Sequence, residues 1–436
     1  MKIAYITAGA AGMYCGSCMK DNTLVDALCA LGDDALLIPT YTPIRTDEED
    51  VSQQRIFFGG INVYLQQKSG LFRHTPRWFD RLLDAPGLLR WASNTFGMGI
   101  RAEELGRLTL SMLEGSHGKQ RKEVRKLADW LANEWKPDVI ILTNVLLSGL
   151  VPELAERVQA PIVATLQGDD IFLESLLPEY RKPALNLIRD NCRAVAGYIA
   201  TCNYYADFMA EYLDLPREQM HVVYPGISLK DLEPKPRGES SNPAGQLPLT
   251  VGYLARIAPE KGLHILAEAF RHLYKMPNVP PCRLRFSGWL GEHNRKYYEE
   301  VRSQLDKDLP AGAFEHVESP DRASKIRFLQ SLDVLSVPAP YREPKGLYVL
   351  EALACGVPVV QPGHGSFPEL IEATGGGLLV TPNDPAELAQ GLRLLLENTE
   401  LRRALGRRGR IAVQERFSSE AMARRTREVL DALPAH

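Results

Sequence analysis

One pattern constrains this chain before any other: a short apolar run, a glycine-rich loop, an amphipathic stretch, then a second apolar run. Lys2-Ile3-Ala4-Tyr5-Ile6-Thr7 has strand length and is ended by glycines. Over residues 22–31, Leu24, Ala27, Leu28 and Leu31 fall at i, i+3, i+4 and i+7, one face of a helix. Residues 34–39, Asp-Ala-Leu-Leu-Ile-Pro, read as the next strand. Parallel strands need a crossover connection, usually a helix, and a sheet covered on both faces. The expected class is therefore α/β with doubly wound parallel sheets.

The alternation breaks and resumes twice. A β-rich piece over 60–65 and a mostly helical insertion over 66–135 interrupt it. Strands are then expected at 139–142, 161–166, 198–201 and 221–224. Residues 233–248 lose all period and are rich in Pro, Gly and Ser, which marks a linker. A second unit opens at 249–254, with strands at 283–287, 334–338, 357–360 and 377–380, and helices over 385–433. At 436 residues the chain exceeds what one hydrophobic core usually serves. We therefore expect two Rossmann-like domains, 1–238 and 239–436, facing a central cleft, with a last helix near 418–433 crossing back to the first.

Composition narrows the function. Charged residues are 24% and apolar residues 45%, values of a soluble globular chain, so disorder and fibre are excluded. The net charge of −3 argues against nucleic acid as a partner. The stretch 3–19 looks like a signal peptide after Lys2, but its glycines fit a buried strand entering a loop better, and a cytoplasmic location is expected. Phe72, Trp78, Phe79, Trp91 and Phe96 lie among Arg73, His74, Arg77 and Arg81. Their readings are a buried helix pair or peripheral contact with an acceptor or membrane. The arginine-rich stretch 402–427 carries interspersed acids and reads as a solvated helical face. Cys15-Gly16-Ser17-Cys18 has the spacing of a redox dithiol; the alternative is two small residues in a loop close to a ligand. No second cysteine pair completes a zinc site, and no Asp-x-Asp loop is placed for Mg²⁺, so neither metal nor cofactor is expected.

Two segments carry chemistry. In the first, Glu343-Pro344-Lys345-Gly346 precedes the helical run Leu347-Tyr348-Val349-Leu350-Glu351. A glycine-preceded helix start offers unpaired N–H groups and a positive dipole end, which suits a phosphate; the amides of Leu347 and Tyr348 are the candidate donors. Glu343 in the loop and Glu351 in the second turn suit sugar hydroxyls at two depths. Each taken alone reads as an ordinary surface acid. In the second segment, Arg256 follows a strand and Lys261-Gly262 precedes a helix. Two cations at strand ends neutralise a diphosphate, with charge-assisted hydrogen bonds worth roughly 1.5–3 kcal/mol each. The alternative for Arg256 is a surface salt bridge with Glu260.

Together these segments resemble the family 4 retaining nucleotide-sugar glycosyltransferases of GT-B architecture, and the resemblance covers most of the chain. Glu343-x7-Glu351 is similar to that family's paired glutamates, and Arg256-x4-Lys261-Gly262 to its phosphate-binding Arg/Lys pair. Gly16 stands at the second of the family's two loop glycines, with Cys15 in place of the first, and would let backbone approach the diphosphate. Gln167 replaces a histidine common in the family, leaving Asp169 as the candidate for sugar contact, against an N-cap role. Tyr224-Pro225-Gly226-Ile227-Ser228 departs from the family's hinge sequence. The resemblance implies a metal-independent hexosyltransferase. It would use a nucleoside diphosphate sugar, UDP-glucose ahead of GDP-mannose, and a sugar-like or polyol acceptor. Arg256, Lys261, Glu343 and Asp169 would serve catalysis, and Gly16, Gly346, Leu347, Tyr348 and Glu351 would hold the donor. A nucleotide-sugar epimerase, a non-catalytic sugar-nucleotide binder and a thiol redox protein are the competing classes. Oligomeric state has no sequence signal.

Overall fold

The computed structural model of the chain describes residues 1–9, 16–44, 46–53, 102–232 and 248–434. The β-rich piece, the aromatic and basic stretch, Cys15 and most of the linker lie outside the described residues.

Two compact units are formed, Met1–Pro225 with Met422–His436, and Gly226–Ala421. Contact begins the second unit earlier than composition does, because Ile227 pairs with the end of the same unit: its amide donates to the Phe417 carbonyl (3.0 Å), and Ser419 N donates to its carbonyl (2.9 Å).

The first unit holds a six-stranded sheet of β1 (Lys2–Thr7), β2 (Asp34–Pro39), β3 (Val139–Leu142), β4 (Ile162–Leu166), β5 (Gly197–Ala200) and β6 (Met220–Val222), ordered β2-β1-β3-β4-β5-β6. Every described pairing is parallel. Strand alternation splits β1 between two cores. Ile3 and Tyr5 pack with Leu24, Val25 and Leu28 of the helix Gly16–Ala30, and Ala4 and Ile6 pack with Leu127 and Leu131 on the other face. Met422, Ala423 and Leu430 of the helix Ser419–Asp431 belong to the first of these cores, and Arg427 of that helix meets Asp33 at 3.2 Å.

The second unit holds β7 (Leu249–Leu254), β8 (Cys282–Ser287), β9 (Phe314–His316), β10 (Val334–Leu335), β11 (Val359–Pro362) and β12 (Gly377–Val380), again all parallel, in the order β12-β11-β10-β7-β8-β9. The chain runs outward from β7 one way, then returns to build the other side from β10. The strand order therefore reverses between β7 and β10, where ligands of such sheets bind beyond the carboxyl ends. β10 is shorter than the expected 334–338. The amide of Val337 goes to the Gln361 side chain (3.3 Å) rather than to a strand, and Pro338 has no N–H to give. Among the described residues no helix is long and apolar enough to cross a membrane.

Candidate active site

β7 and β10 are neighbours, with Val251 opposite Val334 and Gly252 opposite Leu335. The segments that follow them therefore meet, though they lie far apart in sequence. After β7 come Arg256 and the single helical turn Pro259–Lys261; after β10 comes the loop to Gly346. Gly262 makes the approach possible. It sits at φ +74°, and a Cβ there would lie 2.0 Å from the Pro338 carbonyl oxygen. Gly346 caps the helix Leu347–Ala354 at φ +64°. The amides of Leu347 and Tyr348 then have no carbonyl one turn earlier to donate to.

At this junction Lys261 Nζ lies 2.5 Å from Glu343 Oε2. The same oxygen accepts from the hydroxyls of Tyr341 (2.6 Å) and Tyr348 (3.4 Å), and Glu343 Oε1 accepts from the Lys345 amide (3.3 Å). Glu343 is 3% exposed. Burial alone would raise its pKa, but the Lys261 charge and the hydrogen bonds from Lys261 and Tyr341 outweigh it, and the carboxyl is held down at about 2. Burial pulls the Lys261 ammonium below its ordinary value, against the opposing pull of Glu343; the charges of Arg256 and Lys345 add to the lowering. Burial first, then Glu343, pushes the Tyr341 and Tyr348 phenols far up, so both stay protonated donors.

Arg256 and Glu260 form the salt bridge anticipated as the alternative, 3.0 Å apart and partly exposed. Glu351 pairs with Lys325 at 2.6 Å, both side chains only about an eighth exposed. The structure thus gathers Arg256, Lys261, Glu343, Gly346, Leu347, Tyr348 and Glu351 in the second unit. Tyr341 and Lys325 were missed by sequence reasoning. Two tyrosines flanking Glu343 were a usable signal; nothing in the sequence marks Lys325, which arrives from another helix.

Gly16 and Asp169 lie in the first unit, each opening a helix, Gly16–Ala30 and Asp169–Ser175. Both carboxylate oxygens of Asp169 are engaged by backbone, accepting from Val145 N (3.1 Å) and Gln167 N (3.0 Å). Burial raises this carboxyl to about 6 despite those amides. Gln167, the departure from the family pattern, donates to the Thr143 carbonyl (2.7 Å) and to buried Asp21 (3.2 Å), tying together the ends of β3 and β4. Asp21 also accepts from Tyr5 (2.6 Å) and from Thr143, with Lys20 at 3.5 Å. Cys18 is buried in the first helix. Among the described residues no group of three or more His, Cys, Asp or Glu is placed to hold a metal ion.

The second of two Rossmann-like sheets thus brings a cation and a helix start together where its strand order reverses, the architecture of the GT-B class. The family profile described as "Glycosyl transferase 4-like domain" matches residues 22–226 and that of "Glycosyl transferases group 1" matches residues 239–412. The chain belongs to the family 4 glycosyltransferases of GT-B architecture. It is similar to D-inositol 3-phosphate glycosyltransferase of Nocardioides sp., 28% identical over 312 residues, which are 66% of this chain and 66% of that protein. It spans between 52% and 66% of the length of the first curated relatives. Its fold is that of HepE from Anabaena, solved with UDP (TM-score 0.68, 18% identity, 99% of this chain and 100% of that one). Sucrose-phosphate synthase from Thermosynechococcus elongatus is similar in fold too (TM-score 0.71, 18% identity, 99% and 98%).

Proposed function

We propose that the protein moves a hexose from a nucleoside diphosphate sugar to a hydroxyl acceptor with retention of configuration, using UDP-glucose in preference to GDP-mannose and no metal. The observation that carries this reading is the Lys261–Glu343 pair, set beside the open start of the helix Leu347–Ala354 at the carboxyl ends of β7 and β10. HepE, of the same fold, has been solved with UDP-glucose, which favours the uridine donor.

The anomeric carbon–oxygen bond breaks and its electron pair goes to the departing diphosphate. Arg256, Lys261 and the amides of Leu347 and Tyr348 neutralise that charge in place of a divalent ion. The acceptor oxygen bonds to the anomeric carbon from the same face and its proton passes to a leaving phosphate oxygen. Glu343, whose Oε2 is already engaged by three donors, is not a free nucleophile. It lies beside the donor as a fixed charge, and Glu351 accepts from the ribose hydroxyls.

A donor panel of UDP-, GDP- and ADP-sugars, scored for nucleoside diphosphate release with sugar, polyol and inositol phosphate acceptors, tests this. Acceptor-dependent release that persists in EDTA is expected. Conversion of UDP-sugar to an epimer without acceptor, or binding of nucleotide with no release, would overturn it.

A further inference from the structure

Lys261 and Glu343 do not meet alone. The Tyr341 hydroxyl accepts from Lys261 Nζ at 2.8 Å and donates to Glu343 Oε2 at 2.6 Å. Its ring lies with the centroid 4.7 Å from the ammonium. The ring of Tyr348, second residue of the helix, is 5.8 Å from the same nitrogen, which sets the ammonium beside that helix's first turn. An ammonium has three N–H bonds in tetrahedral directions and no acceptor. One goes to Glu343 and one to Tyr341. The two acceptors are bonded to each other at 2.6 Å, so both lie on one side of the nitrogen, and no described residue accepts an N–H on the far side.

We infer that Tyr341 is a positioning residue: it locks the rotation of the Lys261 ammonium so that the remaining N–H is held out for a phosphate oxygen of the departing diphosphate. The inference rests on the donor reading above and goes beyond it, since Glu343 by itself leaves Lys261 free to turn about a single hydrogen bond. The diphosphate gains one negative charge when the sugar leaves. A correctly aimed N–H therefore matters more for the free nucleoside diphosphate, and for the transition state that resembles it, than for the intact donor.

The test is a double-mutant cycle of Tyr341→Phe and Lys261→Ala, read by calorimetry with UDP, GDP and ADP and by transfer kinetics. Tyr341→Phe keeps the ring and removes only the hydroxyl. For the diphosphate that wild type binds most tightly, we expect Tyr341→Phe to weaken binding about fivefold and lower kcat about tenfold, with donor KM shifted less than about twofold. In the Lys261→Ala background the same change should cost nothing further, within about twofold. A Tyr341→Phe protein that binds diphosphate like wild type, or a loss that adds in full to that of Lys261→Ala, overturns the inference and leaves the donor reading intact. Coupled loss of diphosphate binding in a protein that moves no sugar supports the inference and overturns the transferase reading. A wild type that binds none of the three ends both. Should Tyr341→Phe fail to fold, Tyr341→Leu, which also removes the hydroxyl, takes its place in the cycle.

Discussion

Two buried carboxylates, one in each unit, are both pushed up by burial, yet they end on opposite sides of the ordinary value. Asp169 and Glu343 are each 3% exposed, and each follows a strand of a parallel sheet. Asp169 is met by backbone amides, with Asp170 adding negative charge, and rises to about 6. Glu343 is met by an ammonium and a phenol and falls to about 2. Amide dipoles satisfy the hydrogen-bonding capacity of a carboxylate without repaying the loss of water; a formal charge at contact distance does both. The first arrangement suits a fastening in a loop. The second keeps a cation and an anion ionised and in place where charge must be managed.

Removing the cation should turn the second site into the first, and this is the largest effect expected. Lys261→Ala should lower transfer by about 10²–10³-fold, as loss of a donor aimed at developing charge does. It should also destabilise the protein by roughly 3–5 kcal/mol, because Glu343 is left buried without its partner. Glu343 is depressed in the native protein, so its contribution to stability is complete above the ordinary carboxyl value of 4.5 and fades as pH falls toward about 2. The gap in melting temperature between wild type and Lys261→Ala should therefore be widest near neutrality and narrow below pH 4.5. A gap independent of pH would mean the pair is not what stabilises the site. Arg256→Ala sharpens the contrast. Its bridge to Glu260 is partly exposed and worth at most about 1 kcal/mol. Melting should hardly move while transfer falls by about 10²-fold.

How much of this the sequence carries depends on what each element is made of. Most strands are near-continuous apolar runs, because both faces of a parallel sheet are covered, and their positions were readable; β8, Cys-Arg-Leu-Arg-Phe-Ser, alternates instead. The first helix was expected from residue 22 but begins at Gly16. Its opening turns hold Lys20, Asp21, Asn22 and Thr23, buried by polar partners rather than by packing, and so show no apolar period. β9 went unseen: it is three residues, Phe314-Glu315-His316, at a sheet edge. Arg256, Lys261, Glu343 and Glu351 were legible as motif residues. That Lys261 touches Glu343 depends on β7 and β10 being neighbours, a property of strand order that no local spacing encodes.

The partner of Glu351 offers a smaller lever. Lys325→Met removes the ammonium that fixes this carboxylate and leaves the helix Arg322–Gln330 otherwise intact. If Glu351 holds the ribose, the preference for UDP over 2′-deoxy-UDP should shrink by about threefold, one modest hydrogen bond's worth of orientation. Unchanged discrimination, with UDP still bound, would separate Glu351 from the ribose.

The smallest effect on activity, and the most direct trial of the contrast, is expected from Asp169→Asn. With both carboxylate oxygens already taken by Val145 and Gln167 amides, the side chain has a structural task, and transfer at neutral pH should stay within about threefold of wild type. Stability should tell more. The native value near 6 lies above the ordinary 3.8, so the folded protein takes up this proton more readily than the unfolded chain does. Wild type should gain stability as pH falls from about 6 to 4, by something on the order of 2–3 kcal/mol over the whole interval, and lose it again as pH rises through 6. The asparagine protein cannot titrate there. Urea unfolding at a series of pH values should show the two curves converging or crossing toward neutrality and separating in favour of wild type below pH 5. Parallel curves would show that burial does not raise Asp169. A hundredfold loss of transfer with the fold intact would return this carboxylate to the sugar, and would place chemistry in the unit whose charges are otherwise spent on holding strand ends together.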